Sequence, residues 1–325
     1  VSTLLEARGL VTSYPGAAGR VRVVDGVSLS LEAGRVLALV GESGCGKSQT
    51  AFTLLRLVAK PGRIEAGSVR LEGRELIHLS VPQMRSVRGS GIAMIFQEPM
   101  TSLNPVLRVG AQVVEAIRLH ERVGAASARQ RTLELFGRVG IPDPSGRFDA
   151  YPHQLSGGLK QRVMIAMALS THPKVLIADE PTTSLDVTIQ AQILQLLRDL
   201  QRESETAILL ITHDLGVVNE LADRVAVMYG GRIVEEGPRV AVLGRPSHPY
   251  TQGLLRSMPG RVRPGQRLEE IPGVVPPPAE WPPGCRFATR CPRVRVSCAA
   301  EMPPEVALDA DHRTFCFAVA EEGGG

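Results

Sequence analysis

The chain has 325 residues, 43% hydrophobic and 22% charged, with a net charge of +4. That length accommodates one large domain and a smaller one, and the balance of apolar to charged residues is that of an ordinary globular protein. The mild, interspersed charge excludes a basic nucleic-acid surface, and apolar runs such as Val163–Leu169 and Ala207–Ile211 fall far short of the roughly 20 residues that span a bilayer.

The N-terminal VSTLLEARGL lacks a basic region ahead of a long apolar core, so no secretory leader is expected. A cytosolic chain is the expectation, and structural disulfides are not expected there. Short β-like runs come first: Leu4–Leu10, Val21–Leu31 and Ser68–Leu71. Between Val36 and Thr212 apolar strands alternate with helical segments, the pattern of a parallel sheet covered on both faces. The strands are VLALV (36–40), IAMIF (92–96), VLIA (175–178) and AILLIT (207–212). The run RVAVMYGGRIVEEG reads as a hairpin turning at Gly230-Gly231. Beyond Gly237 the composition shifts, and the Pro- and Gly-rich segment 259–284 reads as linker or loop. There is no internal repeat.

GESGCGKS, Gly41 to Ser48, fits G-x-x-x-x-G-K-[ST] after a strand and ahead of the helix-compatible KSQTAFTLLRLV. Its glycines let successive backbone N–H groups turn inward as an anion nest, and the helix start adds its dipole. Lys47 supplies a charge for the β- and γ-phosphates, and the Ser48 hydroxyl a Mg²⁺ ligand. The side chain of Cys45, inside the loop, reads as a small space-filler.

KVLIADEP sets Asp179 and Glu180 at the end of a buried strand, where open parallel sheets gather their ligand chemistry. Asp179 can hold Mg²⁺ through water, and Glu180 can orient and polarise an attacking water. His213 follows AILLIT within reach of a γ-phosphate, and Gln97 follows IAMIF. Three strands ending in such groups beside a phosphate loop describe a phosphohydrolase site. A second helix start with exposed N–H groups comes at LSGGLKQR, where Ser156 is a good N-cap before Gly157 and Gly158. One nucleotide does not obviously need both.

LSGG followed by the acidic strand end resembles the signature of ATP-binding-cassette (ABC) ATPases, and the resemblance covers essentially the whole chain. It implies an α/β fold, the P-loop NTPase ABC cassette. This has a mixed sheet core, an antiparallel β subdomain and an inserted helical subdomain at about 98–160. It also implies dimeric function, with Ser156, Gly157, Gly158 and Asp186 of one subunit closing over ATP held by another. Ser184-Leu185-Asp186 fits the loop that crosses that interface. Tyr14 fits the residue that stacks on adenine, and Gln97 the loop that senses Mg²⁺ and the membrane partner. The implied ATP contacts are Tyr14, Gly41, Ser43, Gly44, Cys45, Gly46, Lys47, Ser48, Gln49, Gln97 and Asp179. Ser48, Gln97 and Asp179 are the implied Mg²⁺ residues, and Glu180 and His213 the catalytic pair. Leu159 and Lys160 depart from the commoner Gln or Met followed by Arg, beyond the glycines, where little effect is expected.

FQEPMTSLNP, SLDVTIQAQIL, HPYTQGLL and PGCRFATRCP together resemble the oligopeptide/dipeptide import branch, which also serves nickel uptake. The implied assembly pairs this chain with a second, related but distinct ATPase subunit at the cytoplasmic face of the inner membrane. Two transmembrane permease subunits and an extracytoplasmic solute-binding protein complete it. The expected boundaries are 1–237 for the ATPase and 238–325 for a C-terminal extension. Nickel or another small solute remains an alternative cargo, and a non-transport cassette ATPase a more distant one.

The tail holds Cys285, Cys291, Cys298 and Cys316, spaced Cys-x5-Cys-x6-Cys-x17-Cys. By themselves these residues fit packing thiols, a disulfide pair, or a four-thiolate zinc or iron–sulfur site. The resemblance implies a [4Fe–4S] cluster, with zinc as the second choice, stapling a tail with little core of its own.

Overall fold

The structure is a computed structural model and describes residues 2–17, 19–98, 102–183, 186–258 and 269–322. Its strands in chain order are β1 Thr3–Gly16, β2 Gly19–Glu32, β3 Val36–Val40, β4 Arg63–Leu71, β5 Arg74–Glu75 and β6 Ile92–Ile95. There follow β7 Val175–Asp179, β8 Ala207–Thr212, β9 Arg224–Tyr229, β10 Arg232–Pro238, β11 Glu305–Asp309 and β12 His312–Phe315. The chain divides into two compact units, one of residues 1–5, 31–35 and 71–210, the other of 6–30, 36–70 and 211–325.

In the first unit β6 and β7 run parallel, Ile92 opposite Val175 through Ile95 opposite Ala178, with β8 beside β7. Every residue of these three strands is buried. Both faces are therefore covered, as continuous apolar runs require. The helices Val109–His120 and Ala125–Arg138 each bury one stripe at four-residue spacing, Val109, Val113 and Ile117 on one and Ala128, Thr132 and Phe136 on the other. Helix Gly157–Leu169 differs: it is buried from Lys160 to Ala166 and at Ala168 and Leu169. Helix Val187–Ser204 buries Ile193, Leu194, Leu197 and Leu200 and is capped by Asp186, whose carboxylate accepts from the Ile189 N–H at 3.0 Å.

In the second unit the strand order is β11-β12-β10-β9-β3. β10 pairs antiparallel with β9 and with β12, and β9 pairs parallel with β3, so this sheet is mixed. Its core gathers Tyr229, Tyr250 and Phe287, whose rings meet at centroid distances of 4.6 to 5.3 Å. The same unit carries a second sheet in which β1 lies between β2 and β4.

The first two strands run longer than their apolar pattern suggests. In β1 the buried positions are Leu5 and Ala7, then Leu10 and Thr12, a change of phase at Gly9, whose φ is +57°. In β2 the buried alternation Asp25, Val27, Leu29 and Leu31 runs on through Gly26, φ +75°. A one-residue slip at Gly9 flips the inward face of β1. The tail contributes an unexpected element: the short hairpin β11–β12 extends the sheet through β10, with Glu235 opposite Thr314.

One buried polar group sets an acid limit on this unit. Burial lowers the His248 ring from 6.5 to about 4, against the pull of Glu235. Its Nδ1 accepts from the Tyr250 N–H at 3.1 Å, which requires the neutral ring. The unfolded chain binds the additional proton, so stability present above the unfolded value is lost as pH falls from about 6.5 toward about 4, by about 3 kcal/mol. Urea unfolding of His248→Gln should show a correspondingly flatter loss of stability between pH 6.5 and pH 4; an equal loss in both proteins would refute it.

Candidate active site

The phosphate loop belongs to the second unit. It leaves the buried strand β3 through Gly41, whose φ is +155°, and enters helix Lys47–Leu54 through Gly46, φ +103°. A Cβ on Gly41 would lie 2.2 Å from the Met228 carbonyl oxygen, and one on Gly46 would lie 2.7 Å from that of Val23. Glycine is required at both by these carbonyls, with Cys45 Sγ and Met228 Cε also close. The Cys45 carbonyl accepts from the Gly231 N–H at 2.9 Å, which seats the loop on the turn of the β9–β10 hairpin.

Lys47 is buried, and its Nζ folds back to the carbonyls of Gly41 at 2.7 Å and Glu42 at 3.0 Å. These neutral oxygens hold the ammonium inside the loop, where a phosphate would bind it more strongly. Burial raises the Cys45 thiol, which stays protonated and fills space. Tyr14 donates its hydroxyl to Gln49 Oε1 at 2.9 Å, so these two expected ATP contacts meet. His213 lines a cleft of about 440 Å³ with Gly41, Glu42 and Ser43, which brings the expected γ-phosphate histidine to the loop.

Gln97, Asp179 and Glu180 belong to the first unit. Asp179 ends β7 and is 2% exposed. Glu180 follows with φ +47°, a left-handed conformation that a non-glycine residue adopts at a cost. Gln97 Nε2 donates to Glu180 Oε2 at 3.1 Å, and the Thr183 hydroxyl donates to the same oxygen at 2.9 Å. Gln161, from the helix that follows Ser156, donates to the Pro181 carbonyl at 2.7 Å. Neither Thr183 nor Gln161 is singled out by the sequence, although Gln161 lies within LSGGLKQR and Thr183 directly precedes Ser184-Leu185-Asp186.

Ser156 caps its helix through the Leu159 N–H at 3.4 Å; Ser156 and Gly157 are exposed and Gly158 half-buried. Asp186 is exposed as well as capping its own helix. Ser184 and Leu185 lie outside the described residues.

The expected iron–sulfur centre is corrected by the structure. Among the described residues no group of three or more His, Cys, Asp or Glu side chains could hold a metal ion, neither a [4Fe–4S] cluster nor zinc. Cys285, Cys291, Cys298 and Cys316 are free thiols. Burial pushes Cys285 up to about 12 and raises Cys291 and Cys316, so these free thiols are protonated. The Sγ of Cys291 accepts from the Arg293 N–H, and that of Cys298 from the Arg295 N–H, each at 3.3 Å. Cys285 and Cys291 pack against the cluster that contains Tyr229 and Phe287. They fill space on an apolar core, which gives the tail a fixed seat without a metal.

Residues 24–183 match the ABC transporter family, and residues 234–298 match the oligopeptide/dipeptide transporter C-terminal region. The chain is 51% identical to a probable peptide ABC transporter ATP-binding protein of Sinorhizobium fredii, over 97% of this chain and 94% of that one. It is 46% identical to the dipeptide transport ATP-binding protein DppD of Escherichia coli, over 99% and 98%. Among solved structures it resembles a dimeric ATP-binding cassette in a post-hydrolysis state bound to ADP and phosphate. That match has TM-score 0.67 and 25% identity and covers 73% of this chain and 99% of that one. It also resembles cbiO1 of Clostridium perfringens, part of an ABC transporter complex, with TM-score 0.64 and 28% identity over 75% and 92%.

Gly46→Ala forces a side chain onto the Val23 carbonyl in a left-handed backbone. It should cost at least about 1–3 kcal/mol in urea unfolding and remove nucleotide binding measured by calorimetric titration. Unchanged binding would show that the loop does not depend on this close approach.

Proposed function

The chain belongs to the ABC transporter family, among the ATP-binding proteins of its peptide-importing branch, and on that premise we propose how its residues bind and cleave ATP. It is an ATPase, the energy-supplying subunit of a peptide importer. The residues expected from the sequence suit a nucleotide: a glycine loop closed on by backbone carbonyls, a buried ammonium held by loop carbonyls and Cys45, and a histidine on the same cleft.

The observation that carries the mechanism is the hold on Glu180. Two donors, Gln97 and Thr183, fix one carboxylate oxygen at the end of β7, on a backbone kept in a left-handed conformation. A carboxylate so fixed can accept a proton from the attacking water as its oxygen bonds to the γ-phosphorus and the bond to the ADP oxygen breaks. His213 donates toward the γ-phosphate oxygens, and Lys47 turns from its carbonyls to the β- and γ-phosphates. Tyr14, held by Gln49, stacks on the adenine. Ser48, Gln97 and Asp179 would hold Mg²⁺, which when bound neutralises charge on the terminal phosphates.

Function as a pair follows from Ser156, Gly157 and Gly158, an exposed helix start that offers its N–H groups to ATP held by another subunit. The partner in that pair is a related, distinct ATPase chain. Membrane permease subunits, two in number, receive the motion through the segment 98–160, and an extracytoplasmic solute-binding protein delivers the cargo. Among the described residues no helix is long and apolar enough to cross a membrane. The chain is membrane-associated through its permease partners, and its place is the cytoplasmic face. The cargo is a dipeptide or oligopeptide. Residues 1–237 are assigned to the ATPase and 238–325 to the extension.

Glu180→Gln tests this reading. ATP turnover by the assembled transporter should fall by about 10²–10⁴-fold while nucleotide affinity is retained. Turnover left intact would remove Glu180 from its role.

A further inference from the structure

Glu42, the second residue of the phosphate loop, is held at each of its polar groups. Its N–H donates to the Tyr250 hydroxyl at 2.8 Å, and its carbonyl accepts from Lys47 Nζ at 3.0 Å. Its carboxylate is gripped by both terminal nitrogens of Arg290, at 2.8 and 3.0 Å. Tyr250 lies in helix Pro249–Arg256, and Arg290 ends the short turn Ala288–Arg290. The hold on the loop thus comes from chain beyond β10.

Arg290 is built in, not draped on the surface. Its side chain is 5% exposed. Its remaining donors go to the carbonyls of Pro272 at 2.8 Å and Gly273 at 3.1 Å, and to the Tyr229 hydroxyl at 3.3 Å. A guanidinium held so fully meets a carboxylate bidentately without further ordering.

The chemistry of the loop explains why this pairing matters. Glu42 adds a negative charge to a loop whose ligand is a polyphosphate. Left unpaired, that carboxylate repels the nucleotide; paired with a fixed guanidinium, it does not. We propose that Arg290 is a positioning residue for nucleotide binding, acting through Glu42: it cancels the carboxylate's charge, so the C-terminal segment sets the affinity of the phosphate loop for ATP. This rests on the reading that the loop binds ATP.

Calorimetric titration of the full chain with Mg·ATP tests it. Arg290→Gln should weaken binding about tenfold, as loss of one neutralising charge near the ligand implies. The double variant Glu42→Gln/Arg290→Gln should recover to within about threefold of the native Kd, because the offending charge is gone. A merely structural role for Arg290 predicts no such recovery. A double variant as weak as Arg290→Gln, or an Arg290→Gln variant that binds normally, overturns the proposal. Should Arg290→Gln lose its cooperative unfolding transition, Arg290→Lys carries the test. It keeps the charge without the fork and should stay within about threefold of native, and a tenfold loss overturns neutralisation as the cause. A native chain that does not bind ATP would instead overturn the ATP reading, and this inference with it.

Discussion

The phosphate loop keeps its shape because backbone carbonyls close on its glycines. The Met228 carbonyl stands where a Cβ of Gly41 would be, and the Val23 carbonyl closes on Gly46 in the same way. Those approaches are possible only while β9 lies parallel to β3 and the turn at Gly230-Gly231 sits beneath Cys45. The rings of Tyr229, which directly precedes that turn, Tyr250 and Phe287 pack on one another. The chemistry of the loop therefore depends on a core that includes residues far along the chain, and Phe287 belongs to it as fully as Val40 does.

The acidic strand end follows a different logic. The sheet delivers Asp179 and Glu180 by continuing a buried strand to its limit, and the chain then turns at once. A left-handed Glu costs about 1–3 kcal/mol by conformation alone. Two side-chain donors on one oxygen hold it there, and the Gln161 amide fixes the next residue's carbonyl. Gln161 lies on the helix capped by Ser156, so the segment bearing the LSGG residues and the strand end bearing the carboxylates share a hydrogen bond.

Much of this was legible in the sequence because continuous apolar strands end abruptly in polar residues. VLALV and AILLIT match β3 and β8 residue for residue, and the Gly-Gly turn lies between β9 and β10. Legibility failed past Gly9, where the buried face of β1 shifts and the strand runs on to Gly16, beyond the expected end at Leu10. It failed again in the tail. The cysteines were weighed by their ligand chemistry, whereas burial makes them packing thiols. Glu235 and His312, 2.9 Å apart and both buried, had no motif to announce them. Tyr250 was visible only as part of a branch-specific string, and nothing in its spacing from Glu42 signals a contact across so many residues.

The tail hairpin has a consequence for the chain's behaviour in solution. β12 occupies the open side of β10, a strand whose burial runs unbroken from Ile233 to Gly237. A chain shortened ahead of Glu305 would present that buried strand, with Glu235 and Glu236 stripped of His312 and Arg313 and its N–H and C=O groups unpaired, as a template for a second molecule. In place of it, the intact protein shows β11, which is short and carries exposed Glu305 and Asp309 at its ends. Glu305 lies 3.7 Å from Arg313 and Asp309 3.8 Å from Arg245, so a short, charged strand in place of a long one borders the sheet, the kind of edge that pairs poorly with a second molecule.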